Sequence, residues 1–267
     1  MDTEFSVSFG LNADEALCSA AAAACFARID ALELLLTRFN DTSDVAVIRG
    51  LPDGGIATVA RETMDVLVAS ARVCAATGGA FDPTVERRNF AELTLDVEHV
   101  RVGVRKGPVA LDFGGIGKGY ALDACAEILR SEQFDLHDWL LDAGSSTQVI
   151  GGGPWALGIG GRWKGRTRQE TVLRLSDGAL SGSGFEVRGE HIFDVRRGGP
   201  AVRWAQSWSR ARTGAVADAL STAALALDAR ELEAACRELE AGVWVAREQR
   251  PWLDRLRDPL TKFGRVP

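Results

Sequence analysis

Asp218, Ser221 and Thr222 lie in the stretch Ala215-Val-Ala-Asp-Ala-Leu-Ser-Thr-Ala-Ala224, which is otherwise small and apolar. On a helix, residues i and i+4 share a face, so Asp218 and Thr222 project together with Ser221 beside them. A carboxylate and a hydroxyl one turn apart suit a hard cation such as Mg²⁺, and small neighbours leave room for a backbone carbonyl from another segment. The same residues also fit a plain structural role. There the acid answers the helix dipole and the threonine bonds back to the previous turn.

A second group is Leu111-Asp-Phe-Gly-Gly-Ile-Gly-Lys-Gly-Tyr-Ala-Leu-Asp123, with glycines at 114, 115, 117 and 119 crowded around Lys118. Glycines let the backbone pass close to a ligand, and a following helix N-terminus points free N–H groups at anions. The segment therefore reads as a phosphate or pyrophosphate loop, with a ligand-free strand-to-helix turn as the alternative. It is not a P-loop, because Asp112 stands where the first glycine belongs and Gly119 replaces the hydroxyl residue. Nor does it fit G-x-G-x-x-G, since Gly115 and Gly117 lead to Tyr120. His191-Ile-Phe-Asp194 offers a histidine and an orienting acid three apart; a surface histidine near a turn acid is the other reading. Phe81-Asp82-Pro83-Thr84 reads by itself as a turn. The basic segment Arg196–Arg212 reads as a solvated loop with Trp204 and Trp208 tucked in, or as a docking site for a phosphate or a partner.

The elements that must position these groups follow from periodicity. Residues 3–9 suit a strand. Asn12 can cap a helix running to about Arg38, with Asp14 and Glu15 in its first turn and Ile29, Leu32, Leu36 and Phe39 on its apolar face. Asn40–Asp44 breaks it. A helix over 58–76 buries Met64, Leu67, Val68 and Ala71 and stops at Thr77-Gly-Gly. Residues 98–104 and 108–113 suggest a hairpin around Lys106-Gly107. A helix over 118–130 follows the glycine loop, then strands near 139–142, 147–150, 155–159 and 171–175. A strong helix over 214–227 precedes a further helix and strand. Helices early and late with strands between favour an α+β fold with antiparallel pairs over a doubly wound parallel sheet.

Composition narrows the classes. The chain has 267 residues, 46% hydrophobic and 25% charged, with a formal net charge of −6, which argues against a general nucleic-acid binder. No apolar stretch is long enough to span a bilayer. The start, Met-Asp-Thr-Glu-Phe, lacks the basic and apolar regions of a signal peptide, so a cytoplasmic protein is expected. The five cysteines are dispersed without C-x-x-C and read as small core residues in a reducing compartment. The three histidines are too scattered for a histidine-rich metal site.

Read in order, Phe39-Asn-Asp-Thr-Ser43, Gly79-Ala-Phe-Asp-Pro-Thr-Val85, Leu111–Tyr120, Asp142-Ala-Gly-Ser-Ser-Thr147, Ser181-Gly-Ser183, His191-Ile-Phe-Asp194 and Ala217–Thr222 form a succession. It resembles the FAD:protein FMN transferases, the ApbE-like family, from the first residues to about residue 230. The resemblance implies a single domain over 1–267, made of two intertwined α+β lobes with FAD between them. Such enzymes take FAD and Mg²⁺, release AMP and attach FMN through its phosphate to a threonine or serine of an acceptor flavoprotein. By matching position, Asp218, Ser221 and Thr222 would lie at the metal, with the Gly117 carbonyl as backbone ligand. Phe39 would meet the flavin nucleotide. Met1, Ala80, Phe81, Asp82, Gly114, Tyr120 and Ile192 would make other FAD contacts, with Lys118 in the same loop. His191 would transfer a proton or steady a phosphate, and Asp218 would serve catalysis through the metal. The chain departs from the family where Val195-Arg196-Arg197 replaces Pro-Arg-Thr, and in lacking the usual Gly-Pro after Val85. An FAD-cleaving hydrolase and an idle flavin binder are the competing readings.

Overall fold

The structure, a computed structural model, describes residues 3–11, 13–84, 89–144, 146–163, 166–184, 193–194, 196, 199–200, 203–246 and 254–256. The chain opens with β1 (Phe5–Phe9), α1 (Glu15–Leu36), α2 (Asp44–Arg49), β2 (Ile56–Thr58) and α3 (Arg61–Ala76). A short 3-10 turn (Phe90–Glu92) leads to β3 (Leu93–Asp96), β4 (Arg101–Val104) and α4 (Gly117–Arg130). Then come β5 (Trp139–Ala143), β6 (Thr147–Gly151), β7 (Trp155–Trp163), β8 (Arg166–Leu175) and β9 (Gly178–Gly184). β10 (Phe193–Asp194), β11 (Gly199–Pro200) and β12 (Gln206–Ala211) precede α5 (Gly214–Ala224), α6 (Ala229–Glu238), β13 (Gly242–Ala246) and β14 (Asp254–Leu256).

The main sheet has the order β1-β5-β6-β9-β12-β13-β14, and each of its described pairings is antiparallel. A smaller sheet is ordered β2-β4-β3. Alternation along the main strands builds two layers. Leu141, Ala143, Val149, Ala179, Ala211, Val243 and Val245 join the core shared with the helices. Their neighbours Ile150, Leu180, Trp208 and Trp244 face the other way, onto Leu157, Ile159 and Leu175 of the β7–β8 hairpin. The α+β class with antiparallel pairs is therefore as expected.

Several boundaries differ, each for a local reason. Asp14 caps α1, its carboxylate accepting the Leu17 amide at 2.8 Å. The helix ends at Leu36, so Phe39 leaves its apolar face and is 84% exposed. Ser43 caps α2, where the sequence pattern alone suggests only a break. β2 occupies 56–58, so α3 starts at Arg61; Met64 and Leu67 are buried on it, whereas Val68 is exposed.

The expected hairpin of 98–104 with 108–113 does not form. β4 pairs with β2 and β3 instead. The turn amide of Gly107 bonds Asp53 Oδ1 at 2.8 Å, and in the second arm the Asp112 amide bonds the Pro83 carbonyl at 2.7 Å. The basic Arg196–Arg212 segment is not wholly a loop either. Its second half is β12, a strand within the main sheet, and both of its tryptophans are buried. Of the cysteines, Cys25, Cys125 and Cys236 are buried, while Cys18 and Cys74 are only partly so.

α5 lies at the centre of the molecule. Gly214 to Ser221 are all buried, as are Ala223 and Ala224. Its small residues let it sit between the sheet and α4 on all sides. The closest approach is between Gly119 of α4 and Gly214 of α5, where a Cβ on Gly119 would fall on the Gly214 carbonyl.

Candidate active site

Two helix N-termini meet where α4 and α5 touch. The Asp218 carboxylate, 2% exposed, accepts the Gly119 amide at 3.2 Å. The Lys118 ammonium lies 3.3 Å and 3.4 Å from its two oxygens and also donates to the Gly114 carbonyl at 2.9 Å. A carboxylate so buried needs a positive partner, because desolvation penalises a lone charge. Lys118 supplies one, in an ion pair at 3.3 Å. This places the sequence-predicted loop and the sequence-predicted acid in direct contact.

The hydroxyls arrange themselves around Asp218. Ser221 Oγ donates to the Asp218 carbonyl at 2.9 Å and Thr222 Oγ1 to the same carbonyl at 3.2 Å. The back-bonding anticipated for Thr222 therefore occurs, and it leaves that oxygen's lone pairs available. A Cβ on Gly115 would stand 3.3 Å from Thr222 Oγ1 and 3.4 Å from the Phe81 ring, so a bare glycine lets the loop, Phe81 and Thr222 converge. Ser221 is fully buried in a row of hydroxyls. Thr147 meets Ser181 at 2.9 Å, and Ser221 meets Ser181 at 3.3 Å and Ser183 at 2.8 Å, with Ser183 reaching Thr222 at 3.4 Å.

These donors are all oxygen: one carboxylate, hydroxyls and backbone carbonyls. The described residues hold no group of three or more His, Cys, Asp or Glu that could bind a metal. The set thus fits a hard, oxygen-seeking cation that keeps other ligands from water or phosphate, as Mg²⁺ does, better than Zn²⁺. Gly117, buried at the first position of α4, lies in sequence between Gly115 and Gly119, both of which face α5.

The residues assigned to FAD divide into groups. Phe39 stands exposed with the Arg38 guanidinium 4.9 Å from its ring centroid. Arg38 also pairs with Asp112 Oδ2 at 3.2 Å, and Asp112 Oδ1 accepts the Gly114 amide at 2.8 Å. Phe39 is thereby tied to the rim of the glycine loop. Ala80 and Phe81 are buried, and Asp82 closes a turn by accepting from the Thr84 amide at 2.8 Å and hydroxyl at 2.5 Å. Tyr120 is half-buried against the main core; burial, with Asp65 and Glu62 nearby, pushes its phenol up. Met1, His191 and Ile192 lie outside the described residues. A cavity of about 270 Å³, lined by Arg72, Arg212, Thr213, Val216, Leu239 and Glu240, involves none of these groups.

Three parts of the arrangement carry no local signal in the sequence. Ser183 is one, because serines on a strand carry no apolar alternation to flag which face they use. The same holds for Ser207 and Ser209, whose hydroxyls bond the carbonyls of Ser221 and Ala217 on α5. Asp123 closed the glycine motif with no partner in view; its carboxylate accepts the Gly214 and Ala215 amides. Burial raises the pKa of this carboxyl to about 6, partly offset by those two bonds. An acid with a raised folded pKa stabilises most below its unfolded value, and that contribution is lost as pH climbs through about 6. Denaturation of the wild type and Asp123→Asn should therefore show a larger stability gap at pH 4.5 than at pH 7.5. A gap that does not vary with pH would show that Asp123 titrates normally.

Known proteins share the chain's sequence family and its fold. The sequence profile of the ApbE family matches residues 1–91 and 86–245. No curated protein matches significantly. Among solved structures, the flavin transferase ApbE from Vibrio cholerae superposes with a TM-score of 0.80 at 17% identity, covering 95% of this chain and 93% of that one. The apbe protein from Thermotoga maritima gives 0.78 at 24% identity, covering 93% and 91%. The flavinyl transferase ApbE of Pseudomonas stutzeri gives 0.76 at 19% identity, covering 94% and 93%.

Proposed function

Since the chain belongs to the ApbE family, we propose that it is a flavin transferase moving FMN from FAD to a threonine or serine hydroxyl of an acceptor flavoprotein, with release of AMP. The solved structures that share its fold include a flavin transferase and a flavinyl transferase. The observation that carries the reading is the contact of the glycine loop with Asp218 through Lys118 and the Gly119 amide. It joins a phosphate-binding backbone to an oxygen-donor cation site. The whole chain acts as one domain of two intertwined lobes, with FAD held between them.

Asp218 and Thr222 would hold Mg²⁺, with the Gly117 carbonyl as a third ligand and Ser221 supporting from behind. When bound, the ion would neutralise charge developing on the pyrophosphate. Lys118, freed from Asp218 by that cation, would face the phosphate oxygens, and the loop amides would hold them. The acceptor oxygen forms a bond to the FMN phosphorus as the bond to the AMP oxygen breaks. The hydroxyl proton leaves to a base, for which His191 is the candidate. Positioning supplies much of the rate in such transfers.

Phe39 would stack on the flavin from the loop rim, with Ala80, Phe81, Asp82, Gly114, Tyr120, Ile192 and Met1 contributing to the FAD site. Phe39→Ala should raise KM for FAD about tenfold, the ~1.4 kcal/mol expected of a lost aromatic contact, with kcat less affected. An unaltered KM would take Phe39 out of the FAD site.

The function is tested by incubating the protein with FAD, Mg²⁺ and a candidate acceptor. AMP should form together with an acceptor heavier by one FMN, its fluorescence surviving denaturation. AMP and free FMN at full rate without any acceptor would establish a hydrolase instead. Bound FAD with no product from any acceptor would leave only a binder.

A further inference from the structure

The two helices that build the site cap one another. Asp218 on α5 accepts the amide of Gly119 in the first turn of α4, at 3.2 Å. Asp123, one turn further along α4, accepts the amides of Gly214 and Ala215, the first two residues of α5, at 2.6 and 2.8 Å. The first amides of a helix have no intrahelical acceptor, and the dipole favours a carboxylate beside them. Each helix thus takes a cap from the other. Residues 119 and 123 are i and i+4 on α4, as 214 and 218 are on α5, so the clamp uses a single face of each.

Between the two caps the backbones of Gly119 and Gly214 touch, which leaves no slack in the spacing. What remains free is rotation and sliding of α5 against α4, and a two-amide grip by one carboxylate restrains both. α5's own cap is weaker, Thr213 Oγ1 accepting from Val216 at 3.4 Å. Glu127 and Arg130, further along α4, are the other charges that act on Asp123.

We propose that Asp123 is a positioning residue for the metal site: by capping α5 it holds Asp218 and Thr222 in register with the glycine loop. The inference rests on the proposed cation site at Asp218 and Thr222. Asp123 itself touches neither cation nor substrate. Asparagine at this position keeps the shape but offers one acceptor oxygen to two amides. Glutamate keeps the charge but displaces it by one methylene.

The test compares the wild type with Asp123→Asn, Asp123→Glu and Asp218→Asn, each checked for fold by circular dichroism. Mn²⁺ binding is read from the loss of the free ion's EPR signal, and kcat and KM for FAD are read from AMP release. Asp218→Asn should weaken Mn²⁺ binding at least a hundredfold. Both Asp123 variants should weaken it about tenfold, the usual scale for a residue that orients a ligand, and lower kcat with little change in KM. Wild-type Mn²⁺ affinity in Asp123→Asn, even with a lowered Tm, would reduce Asp123 to a structural cap and overturn the inference. So would full rescue by Asp123→Glu, which would make charge rather than position the cause. Should Asp123→Asn fail to fold, Asp123→Glu carries the comparison alone, and wild-type affinity in it overturns the inference. Unchanged Mn²⁺ binding in Asp218→Asn would remove the metal reading itself, and this inference with it; loss there with none at Asp123 removes only the inference.

Discussion

Asp218→Asn should lower FMN transfer by about a thousandfold, or ~4 kcal/mol, because the proposed cation site would lose its carboxylate. Asparagine preserves the side chain's shape and one acceptor for the Gly119 amide. It removes the negative charge that now faces the Lys118 ammonium at 3.3 Å. Lys118 is itself largely buried, so stability should fall as well, since a buried charge left without its partner is costly. The measurement is single-turnover AMP release across a Mg²⁺ titration. If saturating Mg²⁺ restored the rate to within tenfold of wild type, Asp218 would not be a metal ligand.

Gly119→Ala should be the most damaging single methyl group in the chain's active region. Its Cβ would fall on the Gly214 carbonyl, and backbone there cannot swing aside as a side-chain tip can. Overpacking of this kind costs about 3 kcal/mol, which for a chain of this length lowers Tm by roughly 5–10 °C. Transfer should fall further than stability alone explains, because parting the helices draws the Gly119 amide away from Asp218. Gly117→Ala is the control. Its Cβ would meet only the Phe113 Cβ, at 3.6 Å, an ordinary contact. Thermal melts of both variants decide the matter. Equal Tm values for the two would mean that α4 and α5 are not locked at Gly119.

Much of the candidate site was legible in the sequence because its signals are local. Glycines crowded around Lys118 before a helix, and an acid and a hydroxyl four apart among small residues, declare themselves within one or two turns of chain. The apolar stripes of α1 and α3 did the same for their helices. Local pattern and tertiary demand part in two places. Phe39 continues the α1 spacing, yet the helix stops three residues earlier. Residues 108–113 look like a strand, yet the Asp112 amide answers to the Pro83 carbonyl, and the amide of the preceding Gly107 to Asp53, both far away in the chain.

The sequence by itself determined which segments could carry chemistry and which family they resemble, because residue type and short spacing are enough for that. Only the tertiary structure decided which of them meet. The Lys118–Asp218 pair spans 100 residues, Asp123 reaches Gly214 across 91, and the serines of β9 and β12 find α5 through sheet order rather than through any pattern of their own. β12 was missed for the same reason. Its alternation of serine with tryptophan reads as polar, yet its hydroxyls are buried against carbonyls of α5. A buried polar group is tolerated where a partner waits for it, and that partner is supplied by packing, which no local stretch of sequence records.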